Sequence, residues 1–178
     1  MPREGCERRV SAPSRLDSHH DLSRFQNGKH PSLNDWLRDR ALTSKGLSAR
    51  TYVICDAEDP TRVVGYYAIA TATVRREGLP SAKLRKGMPE EVPLLLIGRL
   101  ALDEDYQGLG IGTDLLADAL RRCLAAAEIA GARGVVAHAL DEEALRFYQR
   151  HGFLLSPLGE RTVVMPIEKV AEIFSGEP

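Results

Sequence analysis

Gln107-Gly108-Leu109-Gly110-Ile111-Gly112 is the stretch on which the reading of this chain turns. Three glycines alternate with apolar residues between two patterned segments. Upstream, Val92 to Leu102 is almost continuously apolar, interrupted by Pro93, Gly98 and Arg99, which predicts a buried strand. Downstream, Leu115, Leu116, Ala119, Leu120, Cys123 and Leu124 recur at helical spacing over residues 112 to 130, with Gly131 just past the end. A strand, a glycine turn and a helix start in that order leave free N–H groups and the positive end of the helix dipole at the turn, which suits a phosphate. A purely structural turn is the alternative reading of these residues. Two other phosphate motifs fail on spacing: Gly112 is followed by Thr113-Asp114, so the lysine of a Walker loop is missing, and Gly108-x-Gly110-x-Gly112 is not the Gly-x-Gly-x-x-Gly of a dinucleotide site.

Working outward, Val135 to Leu140 reads as a second buried strand, and Asp141 to His151 as a helix with Ala144, Leu145 and Tyr148 on one face, closed by Gly152. Short strands are expected around Phe153 and over residues 163 to 167. Toward the N-terminus, residues 51 to 55 and 63 to 74 predict two antiparallel strands joined at Asp59-Pro60. Residues 75 to 92, with Arg75, Arg76, Lys83, Arg85 and Lys86 among glycines and prolines, read as a loop or short helix outside the core. Leu33, Trp36, Leu37, Ala41 and Leu42 predict a first helix over 32 to 43, capped by Ser32. Residues 1 to 20 lack periodicity and read as a loosely ordered arm, leaving 21 to 178 as a single domain. Strands that pair early and then alternate with helices predict an α/β (α+β) architecture, a mixed sheet covered by helices.

Composition bounds the function. The 178 residues suit one core, and a formal net charge of −1 gives no global case for nucleic-acid binding, so any polyanion site is local. Cys6, Cys55 and Cys123 fit neither a disulfide framework nor a zinc site, and the five histidines show no paired ligand spacing, so no metal is expected. No apolar run approaches the roughly 20 residues that span a bilayer, and the N-terminal residues do not read as a secretory signal. A cytoplasmic protein with reduced thiols is expected.

The pattern Gln/Arg-x-x-Gly-x-Gly/Ala, met here by Gln107, Gly110 and Gly112, resembles the GNAT acetyltransferase superfamily. Gly98-Arg99-Leu100-Ala101-Leu102-Asp103, Gly65-Tyr66-Tyr67-Ala68, Leu33-Asn34-Asp35-Trp36-Leu37 and Ala144-x-x-Phe147-Tyr148-x-x-x-Gly152-Phe153 extend the likeness to the toxin branch of type II toxin–antitoxin systems, over roughly residues 22 to 167. The resemblance implies a GNAT fold, a mostly antiparallel sheet with a splayed central strand pair. It implies acetyl-coenzyme A as cofactor, its pantetheine arm along Leu100, Ala101 and Leu102, its pyrophosphate on Gln107, Gly108, Leu109, Gly110, Ile111, Gly112 and Thr113. It also implies that Tyr148 is the general acid for the departing thiolate, while Phe147 is expected in the core.

The implied reaction is acetyl transfer to a primary amine, specifically the α-amine of aminoacyl-tRNA, blocking translation. The implied partners are a second copy of the chain and a ribbon-helix-helix antitoxin. Arg99, a charge in a buried strand, is either ion-paired or a substrate contact. The basic cluster Arg75, Arg76, Lys83, Arg85 and Lys86 is either a solvated face or a tRNA backbone contact. Glu142 and Glu143 suit the helix dipole, so no general base is assigned. Two rivals stay open: an acetyltransferase for a small amine or protein N-terminus, which needs acids such as Glu90, Glu91, Asp103, Glu104 and Asp105 around the acceptor, and an inactive GNAT-fold binding module.

Overall fold

The computed structural model describes residues 9–43 and 48–176. Its strands are β1 (Ser14–Arg15), β2 (Arg50–Cys55), β3 (Val63–Arg75), β4 (Glu91–Leu102), β5 (Gly134–His138), β6 (Leu154–Leu155) and β7 (Thr162–Pro166). The helices are α1 (Pro31–Asp39), α2 (Ala82–Arg85), α3 (Ile111–Ala130), α4 (Glu142–Arg150) and α5 (Ile167–Phe174). The strands form one sheet in the order β1-β2-β3-β4-β5-β7-β6. Pairing is antiparallel at β1/β2, β5/β7 and β6/β7 and parallel at β4/β5, the mixed, mostly antiparallel sheet expected. The β4/β5 register runs from Leu95–Val135 to Ile97–Ala137, whereas β4 continues to Leu102 and β5 ends at His138.

Contacts gather the chain into two compact units, one of the residues up to Ala68 with Arg99–Leu116, the other of Ile69–Gly98 with the residues from Ala117 on. In the first, Leu33 and Leu37 lie one helical turn apart and carry the buried face of α1 into a core with Phe25, Val53, Val63, Tyr66 and Ala101. Phe25 meets Tyr66 edge to face at 5.5 Å, and the Tyr66 hydroxyl donates to the Leu33 carbonyl at 2.8 Å. Tyr66→Phe removes that buried bond, and the expected cost is about 0.5–1.5 kcal/mol in urea unfolding. In the second unit, Val135, Val136 and Ala137 are all buried, and Leu94, Val136 and Val164 form a cluster.

Several expectations are corrected. The described part of the arm is tied down: Ser14 and Arg15 pair with Val53 and Tyr52, and Val10 bridges Asp56, since backbone pairing needs no apolar side chain. Residues 1–8, Cys6 included, lie outside the described residues. Ser32 does not cap α1; His30 holds the N-cap position without a side-chain bond and Pro31 starts the helix, its fixed φ suiting the first turn. The segment over 75 to 92 contains the short helix that was one of its two expected forms, α2, but it is not outside the core: it has its own apolar cluster of Leu79, Leu84 and Val92, backed by Val74 and Met88. After Pro166 the chain turns into α5, which sequence reading did not expect.

Candidate functional site

The glycine turn is built as the sequence suggests. Gly108 and Gly110 have φ of 73° and 80°, a region that side-chain-bearing residues rarely adopt, and a Cβ added at either meets nothing within 4 Å. The backbone is therefore open on the side where a side chain would stand. Leu109 between them is exposed, and Ile111 begins a helix of 20 residues. The start of such a helix is the positive end of its dipole, so this turn suits a pyrophosphate.

The Gln107 side chain braces the turn. Its Nε2 donates to the carbonyls of Asn27 at 2.8 Å and Leu102 at 3.0 Å, which pins the turn to β4. Asn27 Nδ2 donates to the same Leu102 carbonyl at 3.0 Å, and its backbone N–H donates to Asn34 Oδ1 on α1 at 2.8 Å. Asp103 Oδ2 accepts from the Gln26 N–H at 3.0 Å and its Oδ1 from the Asp105 N–H at 3.0 Å. The buried polar residues Asn27, Asn34 and Asp103 thus brace the turn. Sequence reading gave Asn27 and Asn34 no role of their own, since a buried amide leaves no periodic trace. Of the expected pantetheine wall, Ala101 is buried, Leu100 and Leu102 are half-buried, and the Leu102 carbonyl is already occupied by two donors.

Tyr148 lies on α4, whose start is fixed by Asp141 Oδ1 accepting from the Ala144 N–H at 2.7 Å. Its ring is buried, edge to face with Phe153 at 5.2 Å and with Phe147 at 5.5 Å. Burial pushes the phenol above its usual value, so it stays protonated through the neutral range. Among the described residues the hydroxyl makes no hydrogen bond, and it is not one of the fully enclosed orphan atoms, which are Thr51 Oγ1 and Arg62 Nε. Phe147 is not the core residue expected: it is half-buried, its ring 4.6 Å from that of His151. Glu142 and Glu143 are exposed in the first turn of α4.

Of the basic cluster, Arg75, Arg76, Lys83 and Lys86 are exposed and Arg85 is half-buried. Two of them also brace their own loop, Arg76 donating to the Met88 carbonyl at 3.0 Å and Arg85 to that of Leu79 at 2.9 Å. Arg99 stands with its guanidinium carbon 4.5 Å from the centre of the Trp36 ring. Asp17, His19 and His20 bring possible ligand atoms within 4.8 Å of one another, but they already bond each other, His20 Nδ1 accepting from the Asp17 N–H at 3.1 Å. No described helix is long and apolar enough to cross a membrane.

Comparison with known proteins points one way. Residues 48–154 match the family described as acetyltransferase (GNAT) domain. A protein of Mycobacterium tuberculosis strain H37Rv called tRNA-acetylating toxin is 42% identical over 148 residues, 83% of this chain and 86% of that protein. The solved structure of AtaT complexed with acetyl-methionyl-tRNAfMet superposes with a TM-score of 0.85 at 29% identity, covering 93% of this chain and 99% of that one. A tyrosine-to-phenylalanine variant of the AtaT toxin, bound to the C-terminus of the antitoxin AtaR and acetyl-CoA, gives a TM-score of 0.78 at 26% identity, covering 94% and 99%.

Proposed function

Because the chain belongs to the GNAT acetyltransferase family, we propose that it moves acetyl from acetyl-coenzyme A to the α-amino group of an aminoacyl-tRNA, acting as the translation-blocking toxin of a toxin–antitoxin pair. The observation that carries the substrate is its likeness, along most of its length, to a tRNA-acetylating toxin. Residues 21 to 178 work as one acetyltransferase domain, and the family match takes in parts of both compact units.

Acetyl-coenzyme A supplies the acetyl group already activated as a thioester. The chain's own residues bind, orient and move a proton. The N–H groups from Gly108 to Thr113 take the pyrophosphate, with Gln107 and Asn27 holding the turn in shape. Beyond Ile97, where the β4/β5 register stops, the backbone of Leu100 and Ala101 serves the pantetheine arm. Tyr148 would supply the proton that a departing thiolate needs, which its neutral state at working pH permits. An α-amine titrates at about 8 or below, so water suffices to accept its proton.

The exposed Arg75, Arg76, Lys83 and Lys86 meet the RNA backbone, which reconciles a near-neutral chain with a polyanionic substrate. Neutralising these four together raises KM for charged tRNA and flattens its salt dependence by about 0.7–0.9 in log–log slope for each phosphate that no longer meets a cation. KM for acetyl-coenzyme A stays the same. An unchanged slope returns the cluster to a solvated face.

A homodimer and a ribbon-helix-helix antitoxin complete the reading, in a cytoplasm where the buried Cys55 and Cys123 stay reduced. The small-amine rival is disfavoured at Asp103, whose carboxylate is buried and committed to the turn. A cell-free translation reaction tests the function. Preincubation with the protein and acetyl-coenzyme A halts synthesis, and fresh charged tRNA added after the protein is removed restores it. Inhibition that needs no acetyl-coenzyme A contradicts the reading.

A further inference from the structure

Arg99 is half-buried on β4, and among the described residues it has neither an ion pair nor a hydrogen bond, which removes the structural ion pair as its reason for being there. Its partner is an aromatic platform in the same compact unit. The Arg99 guanidinium carbon is 4.5 Å from the centre of the Trp36 ring, and Trp36 in turn lies nearly parallel to Tyr66, 9° between planes and 5.8 Å between centroids. Tyr66 is buried and fixed through its hydroxyl to the Leu33 carbonyl of α1, the helix that carries Trp36. The platform orients the guanidinium without using any of its N–H donors. A guanidinium resting on an aromatic ring with its N–H donors uncommitted fits a bidentate anion, phosphate above all.

The platform is also tied to the glycine turn. Asn34 lies two residues before Trp36, its Oδ1 holds Asn27, and Asn27 and Gln107 both donate to the Leu102 carbonyl, three residues beyond Arg99. Arg99 therefore has a defined position relative to the turn.

We infer that Arg99, oriented by Trp36, binds a phosphodiester in the single-stranded 3′ end of the acceptor RNA and so sets where the aminoacyl group is presented. This rests on the aminoacyl-tRNA reading and assigns a seat within it. The one competing source of the same chemistry is a phosphate of coenzyme A.

Trp36 is the one tryptophan in the chain, so the site carries its own reporter. Full-chain protein is titrated with a single-stranded RNA oligonucleotide ending in CCA while tryptophan emission is followed. Coenzyme A affinity is measured in parallel by calorimetry, and the melting temperature confirms folding. The wild type responds saturably. Arg99→Gln shifts the RNA midpoint roughly 10-fold or more upward, the loss expected for a charge-assisted bond, and leaves coenzyme A affinity unchanged. Arg99→Lys, which keeps the charge but not the fork, falls between. No emission response in the wild type, an unchanged midpoint in Arg99→Gln, full recovery with lysine, or a parallel loss of coenzyme A affinity overturns the assignment. Acetyl transfer to charged tRNA by the wild type is read separately: its absence removes the substrate reading, whereas this titration speaks only to the RNA seat.

Discussion

Replacing Tyr148 with phenylalanine lowers kcat by about 10²–10⁴-fold, the usual share of a positioned general acid, and leaves acetyl-coenzyme A affinity essentially as it was. Phenylalanine keeps the ring that packs on Phe147 and Phe153, so the fold of α4 is preserved and the lost hydroxyl is the only chemical change. The thiolate leaving group needs a proton at the moment the carbon–sulfur bond breaks, and burial keeps the Tyr148 phenol protonated until well above neutrality. Single-turnover acetyl transfer checks this together with calorimetric titration of the cofactor. Turnover equal to wild type makes Tyr148 a core aromatic and nothing more.

Gly110→Val weakens cofactor binding, with acetyl-coenzyme A affinity down at least about tenfold. The residue stands at φ 80°, where a β-branched side chain adds at least about 1–2 kcal/mol of strain, and there is no clash to relieve because a Cβ there meets nothing within 4 Å. The turn therefore changes shape, and its N–H groups no longer converge on one anion. Gly131→Val is the matched control: it has φ 79° and equally open surroundings, but it follows the end of α3, far in sequence from the turn. It costs comparable stability without changing cofactor affinity. Equal losses of affinity in both variants mean that the turn is not the binding site.

The reading of the sequence was strongest where one local pattern sufficed. The apolar period of α3 and the apolar face of α4 with its closing Gly152 placed both helices within one residue, and the alternation of glycines placed the turn. β1 was invisible because two exposed residues cannot show a period. The small cluster of Leu79, Leu84 and Val92 was hidden by the basic residues around it. α5 did leave a signal, Pro166 followed by Ile167, Val170 and Phe174 at helical spacing, but the apolar run of β7 leads straight into it, so the strand read over 163 to 167 took in its first residue and left the rest unassigned.

In the site, the anion turn and Tyr148 were nominated from motifs, whereas the groups that hold the turn were not. Asn27 lies 80 residues from Gln107 in sequence, and only folding brings its carbonyl to that amide. Arg99 rests on Trp36, which lies on a helix distant in sequence. Long-range polar pairing of this kind has no periodicity to read.

The most direct measurement is transfer of labelled acetyl from acetyl-coenzyme A to a pool of charged tRNAs, beside deacylated tRNA and spermidine, followed by mild hydrolysis and identification of the released amino acid. The expected result is label on charged tRNA alone, recovered as an N-acetylamino acid. Label on spermidine, or none on RNA, contradicts the substrate and leaves the acetyltransferase fold without its proposed role in translation.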